Sequence, residues 1–243
     1  MLGLILISLT GLMWFVVMTI VYIPVICLMG EQKGSMLARK ELKRFSRMLL
    51  GATFAKVEVI YEDEEAIKAL DKSSGIVVVS NHQSNLDPPL INGYFPMDLG
   101  FVAKKEMASW PFYGIWMRKS HCIFLDRSNP REGIKSIKKA VKIIKSGYPT
   151  AIFPEGARSL TEEMGDFKKG SFRLATDTNG IIVPVTVKGT YDIQRRGSIW
   201  MKMGRKVKLI IDKPIDVKES SMEERKMLDI KVKKIIEENY RRY

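Results

Sequence analysis

The chain has 243 residues, with 40 Lys and Arg against 27 Asp and Glu and a formal net charge of +13. That length buries a substantial core and makes one domain or two small ones; the charge favours anionic partners, whether nucleic acid, acidic lipid head groups or phosphorylated metabolites. The two cysteines, Cys27 and Cys122, have no metal-ligand spacing. They argue against a disulfide framework and for a reducing compartment.

From Met1 to Gly30 there is no Asp, Glu, Lys or Arg, and the run is rich in Leu, Ile, Val, Met, Trp and Phe. About 20 such residues span a bilayer core. A cleaved signal peptide has a basic start and a shorter apolar stretch. Here nothing basic precedes the run, while Lys33, Arg39, Lys40, Lys43, Arg44 and Arg47 follow it. A retained membrane segment is therefore expected, with the rest of the chain on the cytoplasmic face of the cell membrane. Pro24 can kink the helix, so spanning and dipping into one leaflet both stay open. Between Ser35 and Leu50, Ala38, Leu42, Phe45 and Leu49 share one helix face and the basic residues lie largely elsewhere. This predicts a helix lying in the lipid interface, its charges near anionic head groups, with an ordinary surface helix as the alternative.

After Gly51 the pattern alternates. Strands are predicted at Phe54–Tyr61, Gly75–Ser80, Gly100–Ala103, Cys122–Leu125, Thr150–Phe153, Ile181–Val187 and Lys206–Ile211, and helices at Glu62–Leu70, Pro130–Ser146, Gly170–Thr178 and Ser220–Arg241. Strands separated by helices predict an α/β fold with a mixed, largely parallel sheet flanked by helices. The N-terminal membrane-associated helical pair precedes it. The expected division is 1–50 for membrane-anchoring helices and 51–243 for a catalytic domain.

Three polar clusters follow apolar strands: Ser80–Pro89 (SNHQSNLDPP), Phe124–Ser128 (FLDRS) and Phe153–Ser159 (FPEGARS). If the strands run parallel, their ends gather His82, Asp87, Arg127, Glu155 and Arg158 at one edge, where ligands bind in such sheets. A neutral imidazole accepts a proton near pH 7, and a carboxylate on its second nitrogen fixes the tautomer. The plainer alternative makes Asp87, followed by Pro88, a helix N-cap. Gly156 permits a sharp turn and Pro154 restricts it. Glu155 can anchor that loop through backbone amides or a basic neighbour, and Arg158 offers a fork matched to phosphate.

These residues carry a family resemblance. NHQSNLD resembles the first motif, N-H-x-S-x-x-D, of the glycerolipid acyltransferases; FLDRS resembles their second, FPEGARS their third and Ile182–Val185 their fourth, in the same order. The similarity covers roughly Gly75 to Val187 and is nearest to the bacterial enzymes that acylate 1-acyl-sn-glycerol-3-phosphate. It implies His82 as general base and Asp87 as its orienting partner. It implies an acceptor site built from Lys105, Arg127, Glu155, Gly156 and Arg158, with Arg158 near the phosphate. It further implies acyl-coenzyme A or acyl-acyl carrier protein as donor, lysophosphatidic acid as acceptor, and neither cofactor nor metal. Ala157 stands where the family commonly has Thr, and His121-Cys122 where a glycine is frequent.

The expected reaction is direct acyl transfer to the sn-2 hydroxyl, the oxyanion held by backbone amides of the first or third motif. Ser84 lacks the G-x-S-x-G elbow of a nucleophile and is expected to shape the loop. The aromatic segment Trp110–Met117 either lines an acyl groove, rests on lipid or packs in the core. The lysines of the Pro130–Ser146 helix form a solvated face or bind an acidic donor. Glycerol-3-phosphate or another lysolipid is the alternative acceptor. A non-enzymatic protein binding acidic membrane lipids would leave His82 and Asp87 unexplained, and the membrane segment argues against nucleic acid.

Overall fold

The computed structural model describes residues 2–126 and 130–243. In chain order it begins with helices α1 (Leu2–Leu28) and α2 (Glu31–Ala52), strand β1 (Lys56–Tyr61), α3 (Glu64–Lys68), β2 (Ile76–Ser80), α4 (Asp87–Tyr94) and β3 (Gly100–Lys104). Helix α5 (Tyr113–Lys119), β4 (Ile123–Leu125), α6 (Pro130–Lys145), β5 (Thr150–Ile152), α7 (Arg173–Thr176), β6 (Ile181–Lys188) and α8 (Thr190–Ile193) follow. The chain ends with β7 (Lys206–Ile211), β8 (Ile215–Asp216), α9 (Met222–Lys226) and α10 (Leu228–Arg242).

The sheet order is β1-β7-β6-β2-β5-β3-β4, with β8 pairing β6 off that path. Strand β2 is parallel to β5 and β6, β3 is parallel to β5 and β4, and β1 is parallel to β7; the β6–β7 and β6–β8 pairs are antiparallel. The mixed, largely parallel sheet expected from the sequence is the one observed. Strand β2 sits in its middle because Ile-Val-Val-Val is apolar on both faces, as a strand covered on two sides must be. Its alternate residues feed two cores. Ile76 and Val78 pack with Leu50 of α2 and Leu90 and Ile91 of α4. Val77 and Val79 pack with Ala140 and Ile144 of α6 and Val232 and Ile236 of α10.

Most predicted elements appear within two residues of their expected ends. Two predicted helices are interrupted. The Gly170–Thr178 segment opens with a tight turn, and α7 ends where Asn179 takes φ 48° and the Gly180 amide donates to Ala175 O, a left-handed stop. The C-terminal helix breaks at Met227 into α9, opened by a Ser221–Glu224 capping box, and α10. Within the aromatic segment, Tyr113–Lys119 is helix α5, which the sequence reading did not place. Its Trp116 is buried and donates from Nε1 to Thr19 of α1 at 3.1 Å.

Among the described residues, α1 is the helix long and apolar enough to cross a membrane, and it runs on through Pro24. Helix α2 departs from the expectation of a helix resting on lipid with its charges in the head groups. Arg39 is 4% exposed, and Nε donates to Ser120 O and Nη1 to Asp98 O, each at 3.0 Å. Lys43 Nζ donates to Phe95 O at 2.8 Å and Arg47 Nε to Gly93 O at 2.7 Å. Spaced by four, the three cations form their own stripe on α2 and hydrogen-bond back to the protein, Arg39 from a buried position, Lys43 from a half-buried one and Arg47 from an exposed one. The reason is the carbonyls that helix ends leave unpaired: Gly93 and Phe95 close α4, and Ser120 closes α5. Lys40 and Arg44 stay on the exposed side.

Candidate active site

The parallel strands β2 and β5 end side by side, so the loops that follow them meet. Within the first loop, His82 Nδ1 lies 2.8 Å from Asp87 Oδ2. The same oxygen accepts from the backbone amides of Gln83 at 2.6 Å and Ser84 at 2.7 Å, while Thr190 Oγ1 donates to Oδ1. Asp87 is 0% exposed, at the first turn of α4, where the helix dipole favours an anion. With donors on both oxygens the carboxylate serves as acceptor only, so the imidazole proton belongs on Nδ1 and the Nε2 lone pair is left available. The N-cap alternative does not describe Asp87. Its side chain reaches back to residues before the helix, and Leu86 occupies the cap position without a side-chain bond.

The imidazole is 18% exposed and stacks on Phe153, centroids 4.1 Å apart. The β5 loop also holds the backbone of His82. Glu155 Oε1 accepts from His82 N at 2.6 Å, and Ser159 N donates to His82 O at 2.8 Å. Glu155 Oε2 accepts from Ser159 Oγ at 2.6 Å and Gly165 N at 2.9 Å. Glu155 thus anchors two loops through backbone amides and a hydroxyl. Gly156 turns the chain at φ 77°, and a Cβ there would lie 2.9 Å from Lys168 Nζ. The left-handed backbone calls for glycine, whereas the ammonium, at the end of a flexible side chain, moves aside at little cost.

The guanidinium of Arg158 has no acidic partner among the described residues, as a phosphate ligand requires. Lys105 follows β3 and pairs with Asp126 at the end of β4, Nζ to Oδ2 3.0 Å, which raises its pKa. His82, Asp87, Glu155 and Gly156 are thus gathered at one corner, with Arg158 on the same loop as Glu155, and Lys105 sits at the same strand ends two strands away. Arg127 lies outside the described residues. The donors for an oxyanion are narrowed. The amides of His82, Gln83 and Ser84 are all engaged, so the first motif offers none of these, whereas those of Ala157 and Arg158 donate to no acceptor among the described residues.

Four contributors escaped the sequence reading. Thr190 closes the ring of donors on Asp87. Asn81 pairs with Val187 through both amide atoms, Nδ2 to O 2.9 Å and N to Oδ1 2.8 Å, and locks the β2 loop to β6. Gln194 accepts from Ser84 Oγ at 2.9 Å, which bears out Ser84 as a loop-shaping residue. Lys168 donates its amide to Pro154 O at 3.0 Å and brings its ammonium over Gly156. The polar run Lys188-Gly-Thr190 after the apolar β6 was the available signal for Thr190, and the asparagine that opens the N-H-x-S-x-x-D motif was the signal for Asn81; nothing local marks the other two.

A family model described as Acyltransferase matches residues 29–188. The chain is 29% identical over 188 residues to a probable 1-acyl-sn-glycerol-3-phosphate acyltransferase of Mycoplasma pneumoniae, covering 73% of this chain and 68% of that protein. It is 40% identical over 117 residues to a 1-acyl-sn-glycerol-3-phosphate acyltransferase of Saccharomyces cerevisiae, covering 47% of this chain and 39% of that one. The crystal structure of the 1-acyl-sn-glycerophosphate acyltransferase PlsC from Thermotoga maritima superposes with a TM-score of 0.74 at 28% identity, covering 96% of this chain and 95% of that chain.

Proposed function

The chain belongs to the acyltransferase family, and on that premise we propose that it transfers an acyl group from a thioester to the sn-2 hydroxyl of lysophosphatidic acid, giving phosphatidic acid. The names carried by its relatives and by its structural neighbour support the reaction. The observation that carries the mechanism is the 2.8 Å contact between His82 Nδ1 and a buried Asp87 already held by other donors. Neutral His82 takes the hydroxyl proton on Nε2 as the alkoxide oxygen attacks the thioester carbonyl. Asp87 stabilises the imidazolium that forms. Ala157 and Arg158 amides are the donors for the tetrahedral oxyanion. When the carbon–sulfur bond breaks, the imidazolium returns its proton to the leaving thiolate, and no acyl-enzyme forms.

In this reading Arg158 receives the acceptor's phosphate, and Lys105 and Arg127 are further acceptor-binding residues. Glu155 and Gly156 contribute by shaping the loop that presents it. Residues 1–50 hold the enzyme at the membrane, where its acceptor resides, with the catalytic part, 51–243, on the cytoplasmic face. Either a coenzyme A or a carrier-protein thioester fits as donor. The test is acylation of lysophosphatidic acid and of glycerol-3-phosphate by wild type and His82→Ala. Turnover of lysophosphatidic acid that vanishes in the variant is expected; normal turnover by the variant refutes the mechanism, and preference for glycerol-3-phosphate refutes the acceptor.

A further inference from the structure

Near the catalytic corner, four large apolar side chains stand in solvent: Leu160 at 73% exposed, Ile199 at 67%, Phe54 at 66% and Trp200 at 62%. Water penalises such exposure, and grouped apolar side chains of this size mark contact surfaces. They are grouped by the 194–204 loop. At one end Arg196 Nη1 donates to Arg158 O at 2.6 Å and Tyr191 OH to Leu160 O at 3.2 Å, so the loop lies against the Arg158 turn. At the other end Gly204 N donates to Thr53 O at 2.9 Å, beside Phe54. Because β6 runs parallel to β2, with Val185 opposite Ser80, this loop leaves the sheet at the same end as His82.

Charge decides what the surface fits. Arg158, Arg195 and Arg196 lie among the apolar tips, and among the described residues none of the three has an acidic partner; Arg195 instead sits over the Tyr191 ring at 5.1 Å. Tryptophan and aliphatic tips beside unpaired arginines match the interfacial zone of an anionic bilayer, apolar below and phosphate above. The patch also continues an apolar surface. Trp14 and Phe15 of α1 pack on Phe45 of α2, which places the exposed Leu9, Leu12 and Met13 of α1 towards the Phe54 end of α2. A narrow loop is small for a stable protein interface, whereas seating in a bilayer asks for no complementary shape.

We propose that the 194–204 loop, with Leu160 and Phe54, is a second lipid contact, made by the catalytic body independently of α1. Its apolar tips enter the interface of an anionic bilayer, and Arg195 and Arg196 meet lipid phosphates. The hydrogen bond from Arg196 to the Arg158 carbonyl then sets the Arg158 turn at head-group depth, where a membrane-embedded acceptor carries its phosphate; that last step rests on the function proposed above. Within the loop Gln194 O accepts from Ser84 Oγ and ties the same seating to the first motif, while Tyr191 of α8, just before the loop, holds Leu160, which follows the third.

The test compares the full-length wild type with a Leu160→Ser, Ile199→Ser, Trp200→Ser triple variant on two acceptors. One is long-chain lysophosphatidic acid in vesicles of phosphatidylcholine and phosphatidylglycerol; the other is hexanoyl lysophosphatidic acid dispersed as monomers. The variant is expected to lose about tenfold in kcat/KM on the vesicle acceptor and to match wild type on the soluble one. Equal performance on both, or equal loss on both, overturns the proposal. An independent readout places a fluorophore on Ile199→Cys, with Cys27 and Cys122 replaced by Ser, and measures quenching by brominated lipid in the same vesicles. Quenching is expected, and its absence overturns the proposal even if wild type acylates neither acceptor, a result that would instead refute the function.

Discussion

Asp87, where His82 leaves β2, and Arg39, beneath the starts of β3 and β5 at the other end of the sheet, are both buried charges, 0% and 4% exposed. Asp87 is met by donors of three kinds: two backbone amides, a hydroxyl and an imidazole. Arg39 is met by backbone carbonyls and the face of Tyr148, 4.8 Å to the ring centroid, and its Nη2 has no partner among the described residues. Burial pulls its pKa down to about 10. What separates the two ends is the outermost partner. Asp87 touches an imidazole with a face to solvent and a second nitrogen, so it fixes the tautomer of a group that solvent can reach. Arg39 donates its hydrogen bonds to backbone carbonyls, which exchange no proton, and Tyr148 and His121 beside it take no hydrogen bond from it, so its charge clamps α2, α5 and two strand starts together. The difference is that the buried carboxylate hydrogen-bonds directly to a titratable side chain that solvent reaches, whereas the buried guanidinium hydrogen-bonds only to main chain.

The sharpest way to break this comparison is Asp87→Asn. The carboxamide fits the same space but can present its NH₂ to His82 and to the Gln83 and Ser84 amides, so the tautomer that leaves Nε2 unprotonated is lost. Initial rates of lysophosphatidic acid acylation should fall about 10³- to 10⁴-fold with the fold retained by circular dichroism. An unchanged rate would mean that His82 works without its carboxylate. Next in size is Arg39→Ala, which strands several buried carbonyls. Urea unfolding should show a loss of about 3 kcal/mol, with kcat of the folded fraction unchanged. A loss of kcat at full stability would show instead that the two ends of the sheet are coupled.

The smallest effect sharpens the contrast between the two histidines. His121 lies beside Arg39, with Nε2 buried and unpartnered and φ at 55°. Burial first, and then the guanidinium of Arg39, lower its pKa. The folded state therefore keeps it neutral, while the unfolded chain binds a proton as pH falls through about 6.5. Stability should decline from that pH downward towards the lowered folded value. His121→Asn removes the titration and tolerates the left-handed backbone, so it should flatten that decline and add about 0.5 kcal/mol near neutral pH. Thermal unfolding across mildly acid pH checks it; an unchanged pH slope would assign the decline to another group.

Local order made much of the molecule legible. Strand β2 announces itself by an unbroken apolar run, α6 by Ile137, Val141 and Ile144 against a lysine face, and α1 by thirty residues without a charge. His82 and Asp87 are also a local matter, five positions apart on one loop. The basic stripe on α2 shows the limit. Periodicity identified a helix and its charges, yet Arg39, Lys43 and Arg47 face orphan carbonyls that belong to chain segments 46 or more positions away. Helix α5 was hidden because its seven residues are too few for a periodic pattern to show, and the burial of Trp116 against α1 is a tertiary contact.

By itself, then, the sequence determined the class of the sheet, the pairing of His82 with Asp87, the turn at Gly156 and the apolar first helix, since each depends on propensities and spacings within a few residues. Only the tertiary structure decided which partners complete them: Thr190 on Asp87 across 103 positions, Asn81 on Val187 across 106, Lys168 above Gly156, and the loop that carries Trp200 to the edge of the site. Those choices follow from the order in which parallel strands cross over. That order is settled by packing helices on both faces of one sheet, and it leaves no periodic trace along the chain.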